Sequence, residues 1–84
     1  MSDEPQEPYR HRTPRPVYVM IADELAAEIA KAPVDSPVAS ESDIQQRWGV
    51  ARATARHAIA ELRDRGLIYT VAGRGSFVSP RPKA

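Results

Sequence analysis

Two runs of helical apolar spacing meet at a single glycine, and that junction limits the folds open to the chain more than anything else in it. Ile44 and Trp48 stand four apart, so they share one face of a short helix. Gly49 follows, where helices commonly end in a left-handed residue that glycine adopts cheaply. Val50 restarts the pattern, and Ala55, Ala58, Ile59 and Leu62 carry it through a second helix. The outer side of that second helix bears Arg52, Thr54, Arg56 and Arg63, with His57 beside them. One side is small and apolar, and the other is cationic with short hydrogen-bonding groups. Such a helix can rest on a protein and push its far side into a DNA major groove. A two-helix piece of a bundle with a solvated basic face would show the same periodicity.

The sequel separates these readings. Residues 66–71 read as a short strand, 72–75 as a glycine-rich turn and 76–78 as a return strand. A helix-turn-helix followed by a hairpin with Arg74 at its tip is a winged helix. The expected fold class is therefore α+β: a winged helix-turn-helix of three helices plus a C-terminal β-hairpin wing. The first helix is expected over residues 17–31, with Tyr18, Ile21, Ala22, Leu25 and Ile29 as its buried stripe. Asp23, Glu24 and Glu28 would then face water and repel DNA, so this helix should support the fold from behind. Pro33 and Pro37 make residues 32–39 a loop with at most one short extended piece. Ser40 stands three residues before Asp43, a shortened capping box for the second helix. Its hydroxyl and the first-turn amides could also hold a DNA phosphate. Ala51 sits where a capping side chain is expected, at a typical cost of about 1 kcal/mol. Trp48 is expected to be largely buried between the second and first helices, with Gly66 stopping the third.

The 84 residues allow one domain at most, and its modest core bounds its stability. The organisation expected is an arm over residues 1–16, a winged helix over 17–78 and a flexible tail over 79–84. The arm holds four prolines and Arg10, His11, Arg12 and Arg15, with almost nothing aliphatic to offset the entropy of ordering. Such an arm tracks phosphates, enters a minor groove or merely solubilises the chain. A net charge of +1 conceals strong polarity: successive blocks ending at residues 9, 16, 46 and 84 carry −3, +3, −5 and +6. That division suits a protein with one face on a polyanion. There is no cysteine, and the two histidines lie in different segments, so no metal or other cofactor is expected. No apolar run approaches the roughly 20 residues of a membrane span, which suggests a cytoplasmic protein. No acid, base and nucleophile cluster beside a plausible pocket, so an enzyme is not expected.

From Pro16 to Val78 the chain resembles the DNA-binding domain of the GntR family of bacterial transcription regulators. The resemblance runs through Tyr18, Ile21-Ala-Asp-Glu-Leu25, Ser40-Glu41, Trp48-Gly-Val50, Arg52-Ala-Thr54, Arg56, Ala58, Glu61-Leu62, Gly66-Leu67 and Gly73-Arg-Gly-Ser-Phe-Val78. It implies a winged helix with Arg52, Thr54 and Arg56 at the DNA and the wing tip at Gly73 in the minor groove. The candidate DNA-binding set is Ser40, Arg52, Ala53, Thr54, Arg56, His57, Gly73 and Arg74. Thr54 could instead bond within its helix, and Arg63 is expected in a solvated ion pair. The chain departs from the family pattern at Val38-Ala39 (usually Leu-Pro), at Ser42 (usually arginine), at Gln45 (usually small) and in a shorter first loop. These departures bear on DNA register and base preference. Family members usually carry a C-terminal domain that binds a metabolite and dimerises the protein; here the chain stops six residues after the wing. A stand-alone regulator without a small-molecule effector site is the expectation, with a fragment of a longer regulator as the alternative. It would bind specific sites in double-stranded DNA, as a repressor more readily than an activator, because a bare domain can occlude a promoter. An excisionase-like architectural factor of a mobile element and a winged helix serving as a protein-interaction module are the alternatives. With no heptads and no large apolar stripe, a monomer or a weak homodimer formed on DNA is expected.

Overall fold

The computed structural model describes residues 15–80. Its elements run α1 (Val17–Ile29), α2 (Glu41–Trp48), α3 (Arg52–Asp64), β1 (Ile68–Val71) and β2 (Gly75–Val78). Three helices and an antiparallel hairpin thus give the expected winged helix-turn-helix. The expected roles of Arg10, His11 and Arg12 in the arm, and of residues 81–84 in the tail, lie outside the described residues.

α1 starts directly after Pro16, whose carbonyl accepts from the amides of Val19 and Met20 at 3.0 and 3.2 Å. A proline there sacrifices no helical hydrogen bond. The helix ends at Ile29, two residues before the expected end, because Ala30 and Lys31 form a turn. α2 opens on a complete capping box. The Asp43 amide donates to Ser40 Oγ, and the Ser40 amide donates to Asp43 Oδ2, both at 3.0 Å. At its other end Gly49 adopts φ 67°, and its amide closes on the Gln45 carbonyl at 2.8 Å. A Cβ at Gly49 would meet nothing within 4 Å, so the left-handed backbone itself is what favours glycine there. α3 begins after Ala51 without a side-chain cap, as expected.

The core lies where the three helices meet the base of the hairpin. Ile21 and Leu25 of α1, Ile44 of α2, Leu62 of α3 and Ile68 and Val78 of the strands are all at most 3% exposed. Burying such a side chain contributes roughly 1.5–3 kcal/mol. α3 turns Ala55 and Ala58 inward, both fully buried, and these small residues let α1 and α2 approach its axis. Tyr18, expected in the stripe of α1, is only half-buried.

Trp48 lies less deep than Ile44, whose face it shares. It packs against the core but is half-buried, and the Arg47 guanidinium lies 4.3 Å from its ring centroid. Trp48 is the last residue of α2, where the chain already turns away at Gly49, so sharing the face of Ile44 does not carry it to the same depth. The acids of α1 do not simply face water either. Glu28 takes the Arg47 guanidinium in a two-point contact at 2.5 and 3.2 Å, and Asp23 pairs with Arg65 at 2.9 Å and also with Arg15. These contacts clamp the ends of α2 and α3 to α1. The short extended piece of the loop is residue 37, bridged antiparallel to Phe77. Hydrogen bonds from the Asp35 amide to the Val78 carbonyl (2.8 Å) and from the Val38 amide to the Ser76 carbonyl (2.9 Å) fasten it to β2.

Candidate nucleic-acid interface

α3 buries Ala55, Ala58, Ile59 and Leu62, so helical geometry turns its remaining positions outward. Arg52, Ala53 and Arg56 are exposed along its N-terminal half, and Thr54 is half-buried beside them. The N-terminal half of a recognition helix is the part that reaches base edges in known helix-turn-helix complexes. Among the described residues no acid lies within ion-pair distance of Arg52 or Arg74, and the Thr54 hydroxyl makes no hydrogen bond. The intrahelical bond considered for Thr54 is therefore not formed. Arg56 is held only loosely: its Nε stands 3.8 Å from Glu41 Oε2, with 63% of the arginine side chain exposed. Its donors are free to turn outward.

Ser40 and Arg56 meet across a groove between the start of α2, α3 and the wing, which Glu41, Arg63, Thr70 and Ser76 also line. Ser40 Oγ accepts from the Asp43 amide, and its hydroxyl also acts on the Asp43 carboxyl, so the side chain is held at the edge of the groove. His57 has a neighbour that helical spacing alone does not reveal. Its ring stacks on Tyr18 of α1 with centroids 3.8 Å apart and planes 7° from parallel. The first turn of α1 thus reaches the exposed side of α3 instead of lying wholly behind it.

The wing tip is set by register. Ile68, Tyr69, Thr70 and Val71 pair with Val78, Phe77, Ser76 and Gly75 in that order, leaving residues 72–74 as the loop. The Arg74 amide donates to the Val71 carbonyl at 2.9 Å, and Gly73 at φ 77° occupies the turn position that needs a left-handed residue. Gly73 and Arg74 are exposed. Strand alternation puts Thr70 and Tyr69 on opposite faces of the hairpin. Arg74 lines a shallow hollow with Tyr69, Val71, Phe77 and Asp35, away from the groove that holds Arg56. The eight candidate residues therefore form two groups, one on α2 and α3 and one at the wing tip. Helical and strand periodicity does not mark Glu41, Thr70 and Ser76 as parts of this surface; it puts Arg63 on the right side of α3 but does not reveal its partner. Arg63 forms no ion pair among the described residues; it donates to Thr70 Oγ1 at 3.0 Å.

No family model matches the chain. It is 36% identical over 74 residues to the transcriptional repressor NagR of Bacillus subtilis, covering 86% of this chain and 30% of that protein. It is 32% identical over 71 residues to the arabinose metabolism transcriptional repressor of Geobacillus stearothermophilus, covering 81% of this chain and 20% of that protein. The chain thus spans less than a third of the length of these relatives. The solved DNA-binding domain of AraR in complex with operator ORR3 superposes with a TM-score of 0.75 at 34% identity, covering 88% of this chain and 92% of that one. A GntR family transcriptional regulator from Listeria monocytogenes superposes with a TM-score of 0.70 at 26% identity, over 81% of this chain and 61% of that one. Motif order, helix and wing geometry, and likeness to these proteins agree that the chain belongs to the GntR family of winged helix-turn-helix transcription regulators.

Proposed function

We propose that this protein binds specific sites in double-stranded DNA and regulates transcription as a repressor. The observation that carries the reading is the exposed N-terminal half of α3, which presents Arg52, Thr54 and Arg56 with no strong partner within the protein. Arginine at such a place donates two hydrogen bonds to guanine O6 and N7, and threonine offers a methyl and a hydroxyl to neighbouring bases. Ser40, Ala53 and His57 flank these residues, suited to backbone or close apolar contact. Gly73 and Arg74 are suited to a minor groove, where a glycine lets the backbone approach and an arginine follows the negative potential. The operator complexes of the AraR domain and the repressor names of the relatives support the same reading. Residues 17–78 are the binding unit in this proposal, with 1–16 as a basic arm and 79–84 as a tail. The work of the domain lies on cytoplasmic DNA, with no chemistry performed on it.

Selecting bound sequences from a random duplex pool, then titrating variants on the enriched site, tests the proposal. Arg52→Ala and Arg56→Ala should each weaken specific binding by about 1–3 kcal/mol with unchanged circular dichroism. Failure to enrich any motif, or wild-type affinity in both folded variants, would overturn it.

A further inference from the structure

The side chain that does not fit the expected pattern is Arg63. It stands on the exposed side of α3, yet it reaches forward to the wing and donates from Nη1 to Thr70 Oγ1 at 3.0 Å. Thr70 lies directly across the hairpin from Ser76, and their hydroxyl oxygens are 3.0 Å apart. Ser76 is in turn fixed through its carbonyl, which accepts from the Val38 amide at 2.9 Å. The result is an unbroken polar chain from the recognition helix, across both wing strands, to the segment before α2. The other attachment of α3 to the wing is at the base of the hairpin, where Ile68 joins the core. Residues 35–38 hold β2 as far out as Ser76, but neither that joint nor the base fixes the outer hairpin against α3, and a two-stranded tip is marginal by itself.

We propose that Arg63 is a positioning residue that braces the wing against α3 through Thr70 and Ser76. The brace sets the separation between the α3 arginines and the tip at Gly73 and Arg74, and so the spacing of the two grooves that the domain addresses at once. The inference rests on the DNA-binding reading for its purpose, but the brace itself is a property of the free protein. A charge-assisted bond to a hydroxyl that is oriented by a second hydroxyl suits this task. It is directional, and it leaves the arginine stem lying over the groove.

Arg63→Met and Thr70→Val each remove the bond while nearly keeping side-chain shape, and Thr70→Ser restores the hydroxyl. In the free protein, amide relaxation should show order parameters at residues 72–75 falling from roughly 0.85 toward 0.6 in both disabling variants. Those of α3 should stay unchanged, and Thr70→Ser should resemble the wild type. On a selected duplex, Arg63→Met and Thr70→Val should lose about three- to tenfold in affinity, and the double variant no more than either alone. Thr70→Val keeps the Arg63 charge, so a loss there cannot come from a missing phosphate contact of Arg63. Unchanged wing order parameters in the disabling variants overturn the brace, whatever the DNA result. A multiplicative loss in the double variant also overturns it, in favour of separate phosphate contacts. Altered wing dynamics in a protein that selects no DNA site would uphold the brace and sink the function proposed for the domain instead.

Discussion

Replacing Ile44 by alanine should cost more stability than replacing the far larger Trp48. Ile44 is 0% exposed and is the only buried residue of α2, so the docking of that helix depends chiefly on one side chain. Ile→Ala in a core costs about 2–5 kcal/mol, and the upper half of that range applies where the surroundings cannot collapse. The cavity would open in a cluster that includes Ala55 and Ala58 of α3, which are fully buried and have no length with which to fill it. About 3–4 kcal/mol is therefore expected. Trp48 is only partly buried, so truncation forfeits part of the roughly 3–5 kcal/mol of a core tryptophan, about 2–3 kcal/mol. Its contact with Arg47 adds less than about 1 kcal/mol at so exposed a site. At roughly 0.05–0.15 kcal/mol per residue, residues 15–80 hold about 3–10 kcal/mol in all. Ile44→Ala thus approaches unfolding, and Ile44→Val, at about 0.5–1.5 kcal/mol, supplies a graded control. Urea denaturation followed by circular dichroism measures all three without relying on tryptophan emission. A greater loss in Trp48→Ala than in Ile44→Ala would refute the reasoning and put the weight of α2 at its C-terminal end.

Ser40→Ala should cost about 1 kcal/mol in the same experiment, because it leaves the Asp43 amide without its acceptor; an unchanged midpoint would argue against the capping box. The Ser40 amide, then its hydroxyl, holds the Asp43 carboxyl below its ordinary 3.8, and the Arg47 guanidinium holds Glu28 below 4.5. Both contributions are complete above those ordinary values and are lost as pH falls through the lower folded ones. Stability should therefore drop in acid below about pH 4.5, and Asp43→Asn should flatten the lower part of that limb; an equally steep limb would contradict it. Free protein should sediment as a monomer at low micromolar concentration and gain a second copy only on a DNA carrying two neighbouring sites. One such domain reads few base pairs, each worth about 1–3 kcal/mol of discrimination. A stable dimer without DNA would defeat this, with Val17 and Met20 of α1, 53% and 54% exposed, the first place to look.

Features that depend on a few adjacent residues are legible in the amino-acid sequence alone. The capping box of Ser40 and Asp43, the left-handed Gly49 and the missing cap at Ala51 are each set within one helical turn. The apolar stripes of α1 and α3 are legible for the same reason, because period names a face. Period does not report depth, which is why it places Trp48 level with Ile44. Nor does it report partners beyond the next chain reversal. Arg63 finds Thr70 only because the chain turns back after α3 and β1 rises beside it, and residue 37 finds Phe77 only once the hairpin exists.

The same limit governs the charges, and these decide where DNA can lie. The C-terminal part of the chain is strongly basic as a block, yet its arginines serve different ends. Arg47 and Arg65 turn back to Glu28 and Asp23, so the acids of α1 neutralise cations that would otherwise be available to a polyanion. Arg63 is committed to the wing. Arg52 and Arg74 keep no acid partner among the described residues, and Arg56 keeps only the distant Glu41. A count of basic residues weighs all of these alike, whereas the fold leaves free the ones at the start of α3 and the tip of the wing. Those two places are the ones that the proposed binding mode brings to adjoining grooves of one duplex. The sorting of cations by tertiary ion pairs therefore carries the proposed binding face better than the excess of cations does.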